Sequence, residues 1–249
     1  MFLLASNVNS FYGGYGFGGY RYMFDWTYLL VLAGLVLSMV ASANVKSTFQ
    51  RYQQVRCRAG LTGAMAAERV LHGAGIYDVA IERVSGSLTD HYDPRTKTLR
   101  LSDSTYGSNS VAAVCVAAHE CGHAIQHQVH YGPLVLRSTL VPAANFGSSL
   151  SWPIFLAGLI FSLRPLLTVG IVLFSLAVIF QLVTLPVEFN ASSRALKVLE
   201  STHMLGAEEL DGGRKVLRAA ALTYVASLAA SILQLLRLII LAGNRRNRD

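Results

Sequence analysis

Residues 119–123 read His-Glu-Cys-Gly-His, and this is the stretch of the chain whose residue types and spacing can do chemistry. On a helix, His119 and His123 lie one turn apart on the same face. At that spacing two imidazoles can hold one Zn²⁺, each at about 2.0–2.1 Å. Glu120 is offset by one position, so its carboxylate stands beside such a metal without taking the same coordination place. There it can accept a proton from a water and pass it to a leaving amine. The metal contributes by acidifying water and polarising a carbonyl. Together these parts hydrolyse peptide bonds. Cys121 reads as a small apolar filler and not a ligand, and Gly122 leaves room beside the metal.

The motif carries this meaning only on a helix. Ser110 is a suitable N-cap, and Val111 to Ala118 lead into the motif with no Gly or Pro. A catalytic zinc usually takes three protein ligands and keeps one position open, so a third ligand must come from elsewhere. His127 continues the same helix, but one straight helix cannot wrap three successive turns around a single tetrahedral ion. A metzincin pattern needs Gly at position 126 and His at position 129; Gln126 and Val129 stand there instead. His91 sits beside a turn, and His130 lies at a helix end. Glu188 directly follows an apolar run and opens a helical pattern from Phe189 to Leu199. Two spans separate it from His123, which puts both on one side of a membrane. The alternative for Glu188 is a helix N-terminal carboxylate favoured by the macrodipole. The expected ligands are His119, His123 and Glu188, with one Zn²⁺ per chain and Asn190 or Arg194 hydrogen-bonding around them.

The rest of the sequence says where this chemistry takes place. Of 249 residues, 53% are hydrophobic and 14% charged, against about 25% charged in a typical soluble domain. The apolar residues fall into blocks, which implies an α-helical membrane protein with about four apolar spans. The net charge of +7 reads as topology and contact with anionic lipid, and no nucleic-acid-binding motif accompanies it. Cys57, Cys115 and Cys121 form no CxxC pair, so neither a disulfide framework nor a cysteine zinc ribbon is expected.

In chain order, residues 1–25 are a Gly/Tyr-rich tail expected to be flexible. Residues 26–43 are the first span, with Trp26 and Tyr28 as interfacial anchors. Residues 44–145 form an α+β catalytic region: a helix capped by Thr62, the alternating run Val79, Ile81, Arg83, a hairpin turning at Asp93-Pro94-Arg95-Thr96, then the motif helix. The strand just before that helix is expected to be the edge that pairs with an extended substrate. Residues 146–187 form a membrane hairpin closed by Pro186. Residues 188–218 bring Glu188 to the metal. Residues 219–242 are a fourth span or a re-entrant helix, and 243–249 a basic tail. Lys46, Arg51, Arg56 and Arg58 follow the first span, so the positive-inside bias places the catalytic region on the cytoplasmic side.

Four stretches carry a family likeness: Val116 to His127, Leu88 to Lys97, Leu136 to Gly147, and Leu185 to Ala195. They resemble the YugP-type membrane zinc metallopeptidases of bacteria over almost the whole chain, from Trp26 to Leu241. The resemblance implies a gluzincin-like, zincin-type fold and a protease of the bacterial cell membrane. Larger membrane gluzincins follow the metal-binding Glu with an Asp four residues on; here that position is Ser192, so Asn190 or Arg194 would take over the Asp's part. The function expected is a zinc endopeptidase acting at the membrane surface on a membrane-associated polypeptide, with an accessory membrane protein or a second copy as further partners. The competing reading is a metal-binding scaffold or sensor without proteolysis. A structural site has no use for a carboxylate such as Glu120 beside an open metal position. A transporter needs ionisable residues within its spans, and these spans are nearly free of them.

Overall fold

The computed structural model describes residues 25–246. Four helices in it are long and apolar enough to cross a membrane: α1 (Tyr28–Gln53), α4 (Gly132–Ile160), α5 (Arg164–Ser201) and α6 (Ala207–Arg246). Between α1 and α4 the chain forms α2 (Gly63–Gly73), β1 (Ala80–Val84), β2 (His91–Asp93), β3 (Thr98–Ser102) and α3 (Val111–Gln128). The spans stand in a row in which α4 packs on α5, α5 on α6, and α6 on α1. Small residues let the backbones close up. A Cβ on Gly170 would meet the Phe155 backbone, and one on Gly158 the backbone of Leu167.

The helices run past the boundaries the apolar blocks suggest. α5 has 38 residues, about 57 Å at the helical rise, against roughly 30 Å of hydrocarbon. Its surplus projects from one membrane face and carries Glu188. The expected close at Pro186 is therefore overturned: Pro186 lies inside α5, as Pro142 and Pro153 lie inside α4. Proline removes one backbone donor, and in a packed membrane helix neighbouring groups can make good the loss. Beyond the proline, the Val187 carbonyl accepts a bond from Gln126 Nε2 at 2.8 Å, which ties α5 to α3 and does not replace the bond lost at Pro186. Glu188 accordingly sits mid-helix, which removes its reading as an N-terminal residue favoured by the macrodipole. The expected boundary after residue 145 also falls within a helix, since α4 begins at Gly132.

α6 is unbroken and accompanies α1 along its length. Arg237 meets Thr27, Gly34 faces Ala230, and Gly212 faces Tyr52, all in one antiparallel register. Its start is fastened by Glu209, whose carboxylate accepts from Gly206 N and from Arg58 N, both at 2.7 Å. The first of these bonds closes the first turn of the helix in the manner of a capping box.

The region between α1 and α4 packs around α3. Ser110 caps it as expected, its hydroxyl accepting from Ala113 N at 3.2 Å, and Thr62 caps α2 in the same way. Ala66, Ala67, Val70 and Leu71 of α2, Leu99 and Leu101 of β3, and Ala195 and Leu199 of α5 bury α3 on several sides. Burial of each leucine is worth roughly 1.5–3 kcal/mol. The sheet order is β1-β3-β2, with β1 parallel and β2 antiparallel to β3. The strand before α3 is thus the central strand, which corrects the expectation that it forms an edge. The edge beside the motif helix is β2, because β1 pairs with the other side of β3. Asp90 fixes β2 in place: its carboxylate accepts from Ser102 N at 2.8 Å and Ser102 Oγ at 2.9 Å.

Candidate metal centre

His119 and His123 point from one face of α3 toward α5. Their rings meet edge to face, with centroids 4.9 Å apart. Glu188 Oε2 lies 3.4 Å from His119 Nε2 and 3.6 Å from His123 Nε2. One ligand atom from each of the three residues falls within 4.8 Å of the others. Glu188 is 2% exposed, and its Oε2 has no hydrogen-bond partner.

The approach of the two helices depends on Gly122. A Cβ there would stand 2.6 Å from the Ala191 carbonyl oxygen, far inside contact distance. Its missing side chain makes room for the α5 backbone and not, as the sequence suggests, for the metal. Close contact there lets Glu188, just under one turn before Ala191, reach the histidines.

Each imidazole makes a hydrogen bond on its far side, and at His123 the partner's own bonds set the tautomer. Gln126 is fully buried, and its Nε2 donates to Val187 O at 2.8 Å and to Asn190 Oδ1 at 3.0 Å. Its Oε1 is thereby left to accept from His123 Nδ1–H at 3.0 Å. His119 Nδ1 lies 3.1 Å from Ser192 Oγ; with the ring donating there, Nε2 again holds a lone pair. Two imidazole lone pairs and a carboxylate oxygen then face one another. All three are acceptors, and at 3.4–3.6 Å they are too far apart to be good hydrogen-bond partners. A cation with nitrogen and oxygen ligands satisfies all three, and zinc is such a cation. Burial disfavours a charged His123, but the facing Glu188 carboxylate and the nearby Glu120 carboxylate outweigh it and raise its pKa above the ordinary imidazole value. The pull for positive charge at this spot is the same pull that a metal ion meets.

Asn190 and Arg194 reach the centre through Gln126. Arg194 Nε donates to Asn190 Oδ1 at 2.7 Å, which also receives the Gln126 amide. The direct bond to His119 comes from Ser192, at the position where the sequence comparison looks for an Asp. Glu120 stays outside the three-residue cluster and lines a cavity of about 230 Å³ together with His119, Glu188, Ser192 and Tyr224. Cys121 is fully buried against Ala67 O, and burial pushes its thiol far up, which fits a packing role. His127 takes no part in the cluster: its Nδ1 lies 3.0 Å from the Tyr92 hydroxyl. His91 is exposed and bonds Thr89 O.

Four residues around the centre escape a reading of the sequence by motif: Gln126, Ser192, Tyr224 and Arg137. Arg137 is the single charged residue of α4, and its Nη1 lies 3.8 Å from Glu188 Oε1. A lone cation in an apolar helix was the available signal.

Residues 27–243 match the family described as "Putative neutral zinc metallopeptidase". A relative from Bacillus subtilis (strain 168), "Putative membrane protease YugP", is 48% identical over 220 residues, covering 88% of this chain and 98% of the relative. No solved structure matches significantly. The family match runs from the start of α1 almost to the end of α6 and takes in every residue of the His119–His123–Glu188 cluster, so the chain belongs to this zinc metallopeptidase family.

Proposed function

We propose that the protein is a membrane-embedded zinc endopeptidase of the gluzincin type, with His119, His123 and Glu188 as ligands and Glu120 as general base and acid. The observation that carries this reading is the cluster of three facing acceptor atoms, with Glu120 beside it in a cavity. Zinc, when held by these residues, supplies a Lewis acid that polarises the scissile carbonyl and lowers the pKa of water. Glu120 takes a proton from the attacking water as the water oxygen bonds to the carbonyl carbon. When the C–N bond breaks, Glu120 returns that proton to the departing amine. Ser192 and Gln126 hold the two imidazoles in the tautomers that present Nε2, at no reorganisation cost during reaction.

The outer edge of β2 is the place for an extended substrate. Leu88 and Asp90 line the cavity that holds Glu120, and Tyr92 and Pro94 line a second cavity on the His123 side. Leu88 and Asp90 precede β2 and Pro94 follows it, so the segment that holds the β2 edge borders both sides of the metal centre and could pair with an extended chain. Val45 of α1 and Ala220, Ala221 and Tyr224 of α6 enclose the Glu120 cavity. Membrane helices thus form its wall, which favours a substrate held at the bilayer surface.

We place that surface on the cytoplasmic side of the bacterial membrane. The ends of α1, α5 and α6 on this side carry Lys46, Arg51, Arg194, Lys197, Arg214, Lys215 and Arg218. The unbroken course of α6 beside α1 favours a full fourth crossing over a re-entrant helix. A cysteine introduced at Ser85, in a background without the native cysteines, is expected to resist an impermeant thiol reagent in intact cells; rapid labelling would invert the topology. The chemistry is tested by Glu120→Gln, which is expected to keep zinc and lose peptidase activity by about 10²–10⁴. Equal activity of the two proteins would remove Glu120 from the reaction.

A further inference from the structure

The two sides of the metal centre differ in charge. On the Glu120 side, the cavity is lined by three carboxylates, Asp90, Glu120 and Glu188, and by no Lys or Arg. On the His123 side, two cavities of about 490 and 220 Å³ share Pro94, Leu134 and Ser138 and form one trough. Arg95 and Arg137 line that trough, with His127 and His130, and no carboxylate does. Neither guanidinium is used up within the fold. Arg95 Nε stands 3.8 Å from Asp93 Oδ1, and Arg137 Nη1 stands 3.8 Å from Glu188 Oε1. Both distances are beyond hydrogen bonding. The side chain of Arg137 is 32% exposed, so it is partly desolvated and its donors open into the trough. Arg137 stands beside the Glu188 carboxylate without a hydrogen bond to it, so its donors remain for another acceptor.

Resting on the peptidase reading, we infer that this trough is a substrate subsite for a carboxylate, with Arg137 as its main anchor and Arg95 at its mouth. A planar guanidinium with free donors matches a carboxylate in geometry and charge. The opposite cavity offers no guanidinium or ammonium group to such a carboxylate. The enzyme therefore reads substrate polarity: an acidic group on the His123 side of the scissile bond, and a neutral or apolar residue on the Glu120 side. The carboxylate can belong to an Asp or Glu side chain or to a chain terminus, and the test separates these sources.

The probes are decapeptides of one Ala/Leu sequence carrying a single Glu, Gln or Lys at each position in turn, each made as free acid and as C-terminal amide. Binding is measured to full-length, zinc-loaded Glu120→Gln protein in detergent, where no turnover is needed. We expect Glu to bind about tenfold or more tighter than Gln at one position, and Lys weakest, from the worth of a charge-assisted hydrogen bond. If amidation and not side-chain identity removes the gain, the group recognised is the C-terminal carboxylate. Adding Arg137→Gln should abolish the preference while zinc content stays at one per chain; Arg137→Lys should keep part of it. Charge-blind binding, or a Glu preference that survives Arg137→Gln, overturns the subsite. Should Arg137→Gln fail to fold, the Glu-to-Gln ratio in the Arg137-intact protein still decides. Charge-blind peptides together with Arg137-dependent binding of phosphatidylglycerol assign the trough to a lipid headgroup, and also overturn it. A wild-type protein that cleaves none of the peptides, while the Arg137-dependent preference holds, leaves the subsite standing and removes the peptidase reading instead.

Discussion

Among the described residues three charged side chains are buried in the long helices; Glu209 closes the first turn of α6, and the other two, Arg237 and Glu188, are treated in opposite ways. Arg237 of α6 is 7% exposed and finds partners within the fold. Its Nε donates to Thr27 Oγ1 at 3.3 Å, and its guanidinium stacks 4.2 Å over the Tyr28 ring. Thr27 is in turn tied to Asp25 through its backbone N–H and its hydroxyl. Glu188 of α5 is 2% exposed, and one of its oxygens has no hydrogen-bond partner. A buried charge satisfied by its own fold works as a structural clasp, here joining α1 to α6. A buried charge left wanting, with two imidazole lone pairs turned toward it, is organised for something the fold does not itself supply. The hydrogen bonds around Glu188 follow the same logic, since Gln126 and Ser192 spend theirs on the histidines and not on the carboxylate.

This contrast can be broken from either side. The largest effect is expected at the helix contact that creates the metal centre. Gly122→Val puts a side chain where the Ala191 carbonyl lies, so α3 and α5 must part. We expect zinc content to fall well below one per chain and the thermal midpoint to drop, with an overpacking cost of about 1–3 kcal/mol or more. Full zinc occupancy in that variant would show that the close contact does not position Glu188. Next comes Ser192→Ala, which leaves the fold intact and removes the partner of His119 Nδ1. Zinc affinity should fall about 10–100-fold, as for other residues that orient a metal-binding imidazole. An unchanged dissociation constant in a competitive chelator titration would mean that Ser192 does not set the tautomer.

The clasp should respond differently. Tyr28→Leu removes the aromatic face from Arg237 and should lower stability by about 0.5–2 kcal/mol, read as a shift in the thermal midpoint. Arg237→Leu should cost less, because it removes the buried charge along with its partners. Neither change should alter zinc content per folded chain. Loss of zinc in either would mean that the two buried charges are coupled and that the contrast between them is false.

The helices and the motif were readable because their signals are local. The caps at Thr62 and Ser110, the span cores and the His-Glu-Cys-Gly-His stretch each depend on residues within a turn or two. The Asp93-Pro94 hairpin was legible for the same reason. Features set by long-range packing were not. The central place of β3 depends on its parallel pairing with β1, which no local pattern encodes. The continuity of α5 through Pro186 goes with its packing against α3, α4 and α6, elements distant in sequence. Gln126 itself was read only as a departure from another family's pattern, although it sets the state of His123. Ser192 was read as a missing carboxylate, although a hydroxyl makes the same contact. Arg137 lies in a stretch that carries the family likeness but no chemical motif, Tyr224 lies in an apolar helix, and both gain meaning only once α4 and α6 are placed beside Glu188.

The most direct test of the account is the zinc stoichiometry of purified Glu188→Ala, measured in detergent by elemental analysis beside the unaltered protein. One zinc per chain in the unaltered protein, and far less than one in Glu188→Ala with the helical content preserved, is the predicted result. A Glu188→Ala protein that holds one zinc as tightly as the unaltered chain would contradict the account and send the third ligand elsewhere.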